Sequence, residues 1–146
     1  MAIKIGILKE TANNETRVAV VPEIAKKLAA SGAEFLIEKN AGRSAGYNDN
    51  DYPTVCAFKE SRQDVLSGSN ILLTVNPPND KEIKSLKENT IVIGFMNPFD
   101  NESLIKQMAE QNVVSFSVEL IPRISRAQSM DALSSQASIA GYKAVV

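Results

Sequence analysis

The sequence predicts an α/β domain, a three-layer sandwich built on a mostly parallel sheet and closed by a long interdomain helix. Three observations carry that expectation. Short apolar runs alternate with segments of helical period along the whole chain. The runs are apolar throughout, with little polar alternation, as strands buried on both faces require. Gly, Pro and Asn fall between the segments, where turns are needed.

Residues 3–8 read as the first strand. Residues 20–32 read as a helix, with Pro22 near its start and Gly32 just past its end, the asymmetry helices favour. Residues 34–38 form the second strand. Residues 48–60 are polar and read as a helical segment, followed by a short helical turn over 64–68. Residues 70–75 are the next strand, broken by Asn76-Pro-Pro78, and 80–86 a helix. Residues 90–95 make a strand that Asn97-Pro-Phe99 ends, and 101–110 a helix capped by Asn101 or Asp100. Residues 112–118 are the last strand, and a final helix starts near Ser125. This βα alternation is of the flavodoxin-like or Rossmann-like type.

Composition narrows the function. The chain has 146 residues, room for one domain with a proper core, and a net charge of −1. That balance gives no basic surface for nucleic acid. There is no histidine, so the commonest zinc ligand and the commonest general base are missing, and no metal site is expected. The single cysteine, Cys56, makes an internal disulfide impossible and fits a reducing compartment. Without an imidazole to activate it, Cys56 reads better as a buried bystander than as a nucleophile. No apolar run reaches the roughly 20 residues of a membrane span, and the N-terminus reads as a strand and not as a signal peptide.

In a parallel sheet of this kind, ligands sit beyond the carboxyl ends of the strands. Those ends are residues 9–17, 76–79, 96–100 and 119–128. The first carries Lys9-Glu-Thr-Ala-Asn-Asn-Glu-Thr-Arg17 and no glycine, so backbone there does not approach a pyrophosphate in the usual way. Residues 42–46 hold two glycines too sparsely to count and read as a surface loop. The Arg17 fork suits a carboxylate or a phosphate; the alternative is an ion pair with Glu10 or Glu15. Ser125 and Gln128 have capping-box spacing. Asp131, Ser134, Ser138 and Tyr142 share roughly one helix face, among small residues that allow close approach. An Asp in a first helical turn is stabilised as its anion, which disfavours phosphate and suits a neutral or cationic group such as a nicotinamide ring. The competing reading is a solvated polar face. The chain stops at Lys143-Ala-Val-Val146 without a helix stop signal, and we read it as one domain, residues 1–146, of a longer protein.

Two stretches make a family resemblance specific. Pro122-Arg-Ile-Ser-Arg-Ala-Gln-Ser-Met-Asp-Ala-Leu-Ser-Ser-Gln-Ala-Ser-Ile-Ala-Gly-Tyr-Lys-Ala-Val145 closely resembles the proton-translocating NAD(P) transhydrogenases, in the NAD(H)-binding component of the alpha subunit. Lys4-Ile-Gly-Ile-Leu-Lys-Glu10 and Asn14-Glu-Thr-Arg-Val-Ala19 resemble both that family and the alanine dehydrogenases, which share this N-terminal domain. The resemblance implies a following Rossmann domain that binds NAD(H), absent from these residues. It implies that Arg123 contacts the nicotinamide carboxamide and that Asp131 and Ser134 hold the nicotinamide end and its ribose. It implies further that Gln128 reaches towards the NADP(H) of a partner component, the beta subunit. Tyr142 has weaker support, and Arg17 is retained without an assigned role. The family component is a homodimer. It lies in the cytoplasm, peripheral on the inner face of the membrane, docked on a membrane domain that moves protons.

Chemistry separates the two families. Alanine dehydrogenases resemble this chain at Arg17 but use a Lys in the strand matching Leu72-Leu-Thr-Val75 and a His near Gly94-Phe-Met-Asn-Pro98. Here Thr74 stands at the Lys position and histidine is missing. Hydride passage between two nicotinamides moves no proton at the reacting carbons, and needs placement and water exclusion more than a titrating group. The expectation is therefore a transhydrogenase domain, inactive as an isolated piece. An alanine-dehydrogenase-like amino-acid oxidoreductase and a non-catalytic interaction domain are the alternatives.

Overall fold

The computed structural model describes residues 2–146. Six strands, β1 (Lys4–Ile7), β2 (Glu34–Glu38), β3 (Cys56–Lys59), β4 (Ile71–Leu73), β5 (Ile91–Gly94) and β6 (Val114–Ser117), form one sheet in the order β3-β2-β1-β4-β5-β6. Every pairing is parallel. The chain builds outward from β1 to β3, crosses back, and builds from β4 to β6 on the other side. The β1/β4 pair, with Ile5 opposite Ile71 and Ile7 opposite Leu73, is therefore the switch in strand order.

The pleat sorts the core into two. On one face Leu8, Leu72 and Val92 pack against Val65 and Leu66 of α2 (Arg62–Gly68), Ile83 of α3 (Asp80–Ser85) and Met108 of α4 (Glu102–Glu110). On the other, Ile5, Ile7, Phe35 and Ile37 pack against Ala25 of α1 (Pro22–Ala30), Val20, Ala41 and Tyr52. That second layer stops over β4. Val114 and Phe116 of β6 point the same way and are 45% and 56% exposed. The sheet is thus covered fully on one face and by half on the other, where the sequence led us to expect both.

Local chemistry places the helices. Asn79 accepts the amides of Lys81 and Glu82 while Glu82 accepts that of Asn79, a complete capping box that starts α3. Asn112, just past α4, takes the left-handed conformation at φ 54° that usually belongs to glycine, as Gly32 does after α1 at φ 92°. Asn101 occupies the cap position of α4, but its side chain donates to the Met96 carbonyl and makes no cap bond.

Two expectations need correction. Residues 48–60 are not helical: Asp49–Asp51 is a single 3-10 turn closed by an Asn48/Asp51 capping box, and Cys56–Lys59 is edge strand β3. Pro53 stops the turn, and one exposed face disguised a strand as a polar stretch. Residues 42–46 are not merely surface. Ala41 and Gly42 are buried, and a Cβ on Gly42 would stand 2.9 Å from the Tyr52 hydroxyl, which itself donates to the Val20 carbonyl at 2.9 Å. Cys56 is a buried free thiol whose pKa burial pushes up, as a bystander would have.

Candidate functional site

The switch point lies where the segment after β1 meets the end of β4. Glu10 fills it. Its carboxylate accepts from the backbone amides of Val75 (2.6 Å) and Asn76 (3.2 Å) and from the Asn76 side chain (3.0 Å). Amides that could have faced a ligand's phosphate are thus taken by the protein's own anion, consistent with the missing glycine fingerprint. Glu15 stands beside it, bonded by Nε (2.8 Å) and Nη2 (2.7 Å) of Arg17 and by Asn76 (3.1 Å). The Arg17 side-chain bonds, helped by the Arg17 amide and by Asn76, pull the Glu15 carboxyl down to about 2, and Glu15 in turn raises Arg17. Arg17 therefore makes the ion pair with Glu15 that the sequence offered as one alternative.

Two cavities open on this edge. The first, of ≈ 430 Å³, is bounded by Arg17, Thr74, Val75, Phe95, Ala132 and Gln136. The Arg17 guanidinium lies 5.8 Å from the Phe95 ring centre and donates from Nη1 to Gln136 Oε1 at 3.4 Å. Thr74 is buried in its wall, its hydroxyl without a hydrogen-bond partner among the described residues. Thr74, Phe95 and Gln136 escaped the sequence reading as site residues. The strand-end rule pointed one or two positions too late for the first two, and Gln136 carries no motif signal.

The second cavity, of ≈ 270 Å³, gathers Arg123, Ile124, Ser125, Gln128 and Asp131. A 3-10 turn over Ser125–Met130 sets it up. Ala127 is buried at the centre of that turn and its amide bonds the Ile124 carbonyl, leaving Gln128 and Asp131 on the side that Arg123 shares. The expected helix start at Ser125 is displaced: no capping box forms there, and α5 (Ala132–Val145) begins after Asp131. Asp131 is its N-cap. One carboxylate oxygen accepts the Ser134 amide (2.9 Å) and the other the Ser134 hydroxyl (2.6 Å). These two bonds, the hydroxyl first, hold the Asp131 carboxyl below the usual range, with Arg123 adding to them. Arg123, Gln128 and Asp131 thus share one cavity and Ser134 joins through Asp131. Tyr142 does not: it stands 74% exposed further along α5.

The donors and acceptors suit a planar amide carried on a sugar. Arg123 and the Gln128 amide can donate to a carbonyl oxygen. Asp131 can accept from hydroxyls, and the Ser134 oxygen keeps a lone pair free after donating its proton. No residue of this cavity titrates near neutrality in its usual state. Among the described residues no helix is long and apolar enough to cross a membrane, and no cluster has the make-up of a metal site.

A family described as "Alanine dehydrogenase/PNT, N-terminal domain" matches residues 6–140. The chain belongs to that family. This N-terminal domain is 40% identical, over 99% of its length, to the first of the polypeptides that make up the NAD(P) transhydrogenase alpha subunit of Rickettsia prowazekii, and covers 39% of that relative. It is 27% identical over 97% of its length to alanine dehydrogenase 1 of Staphylococcus aureus strain RF122, covering 37% of it. Among solved structures, the transhydrogenase from Sinorhizobium meliloti superposes with a TM-score of 0.91 at 38% identity, over 97% of this chain and 42% of that one. The domain thus spans about two-fifths of the length of these relatives. Family and fold agree with the expectation from sequence, and the transhydrogenases are the nearer of the two branches.

Proposed function

We propose that this chain is the first α/β domain of the NAD(H)-binding component of a proton-translocating NAD(P) transhydrogenase alpha subunit. The observation that carries the reading is the convergence of Arg123, Gln128 and Asp131 on one cavity that holds no acid–base residue. NADH brings the hydride and NADP on the beta subunit takes it; this chain contributes placement. Arg123 orients the carboxamide, Asp131 and Ser134 hold the ribose end, and Gln128 faces the partner nucleotide. Proton movement belongs to the membrane domain on which the subunit docks from the cytoplasmic side. The subunit works as a homodimer, and a Rossmann domain following residue 146 supplies the pyrophosphate site that Glu10 denies to this one.

The alanine-dehydrogenase reading is weaker on the same geometry. The Arg17 fork is engaged by Glu15 and Gln136, and Thr74 offers a hydroxyl where that chemistry uses an amine. The deciding experiment runs the complete enzyme in D2O with NADH labelled on its transferable hydrogen. The label should pass to NADPH without solvent deuterium entering. Solvent deuterium at that carbon, or NADH oxidation that depends on pyruvate, would overturn the proposal.

A further inference from the structure

Helix α5 is nearly bare. None of its residues is buried, and beyond its first turn every position is exposed. Its side-chain hydrogen bonds are local, Ser134 to Asp131 and Ser135 to the Ala132 carbonyl, with one exception among the described residues: Gln136 accepts from Arg17, 119 positions earlier in the chain. Ala132 and Gln136, four residues apart and so on one face, border the larger cavity, while Asp131 at the same helix end borders the smaller one. The first turn of α5 is therefore shared between the two cavities, and its rotation about the helix axis decides where Asp131 points.

We infer that Arg17 is a positioning residue: its contact with Gln136 fixes the azimuth of α5 and with it the Asp131–Ser134 pair. The guanidinium is equipped for this. Glu15 takes Nε and Nη2 and the Phe95 face lies beneath, so that Nη1 is left aimed at α5 in a fixed direction. Glu15 is in turn tied to Asn76 at the end of β4, so the latch is anchored in the switch point of the sheet. A lysine offers a point charge without the fork and cannot hold both ends at once. The consequence for hydride transfer rests on the function proposed above; the latch itself does not.

The test separates the two. In the chain of residues 1–146, with the buried Cys56 replaced by alanine, spin labels on cysteines at positions 26 and 138 report the angle of α5 against the sheet. The native sequence should give one narrow distance distribution. Arg17→Ala and Arg17→Lys should broaden it, and so should Gln136→Ala, which leaves the Arg17–Glu15 pair intact should Arg17 variants unfold. Gln136→Glu, still an acceptor, should keep it narrow. Distributions that stay narrow in Gln136→Ala and in every folded Arg17 variant overturn the latch. In the complete enzyme, Gln136→Ala should slow single-turnover hydride transfer at saturating NADH on the order of tenfold, the scale a small misplacement costs. Gln136→Glu should restore the rate. A broadened distribution with an unchanged rate keeps the latch and overturns the placement of the hydride site.

Discussion

At the scale of single residues, the loop after β1 is governed by carboxylates that sequence alone could not rank. Glu10, Glu15 and Arg17 all stood in the motif, but only the fold shows that Glu10 caps the end of β4 while Glu15 clamps Arg17. Spacing gives proximity along the chain and is silent about a strand 65 residues away. Glu15 makes acid stability measurable. Its carboxyl is depressed to about 2 in the fold against 4.5 when free. Its contribution is therefore present in full above pH 4.5 and fades as pH falls towards 2. Allowing for solvent around the half-exposed Arg17, the contribution is roughly 1–2 kcal/mol. Urea unfolding of Glu15→Gln at pH 6 and at pH 3 should show the variant less stable at the higher pH and nearly equal to the native chain at the lower. An equal deficit at both would mean that Glu15 acts by shape and not by charge.

At the scale of elements, the strands were legible wherever both faces are buried and illegible where one is not. β1, β2, β4 and β5 carry unbroken apolar runs because helices or loops cover them; β3 at the edge does not, and read as helix. The start of α5 was misplaced for a different reason: Ser125 and Asp131 both look like caps, and burial of Ala127 commits the first to a 3-10 turn. Close packing between elements gives a second prediction. Gly94 ends β5 against β4, and a Cβ there would stand 2.5 Å from the Thr74 carbonyl and 2.6 Å from its hydroxyl. Backbone cannot yield as a flexible side chain does, so Gly94→Ala should cost about 1–3 kcal/mol in thermal or urea unfolding. A neutral substitution would show that β4 and β5 can part at their carboxyl ends.

At the scale of the whole molecule, the strand order is the one familiar from dinucleotide-binding sheets, yet its switch point is occupied from within. The missing glycine fingerprint was visible in residues 9–17; the reason it matters, a carboxylate seated on the β4-end amides, was not. The site candidates from the family resemblance fall together at the foot of a bare helix, which explains why a chain with an ordinary core leaves its chemistry on its rim. It follows that residues 1–146 should bind NADH weakly. Calorimetry should show no micromolar affinity for this chain, and micromolar binding would mean that the domain holds the nucleotide unaided.

The most direct test is a crystal structure of the complete subunit with NADH bound. Arg123, Gln128, Asp131 and Ser134 should line the pocket around the nicotinamide and its ribose, with the pyrophosphate on the second domain. A nicotinamide ring seated away from all four, or a pyrophosphate at Glu10, would contradict it.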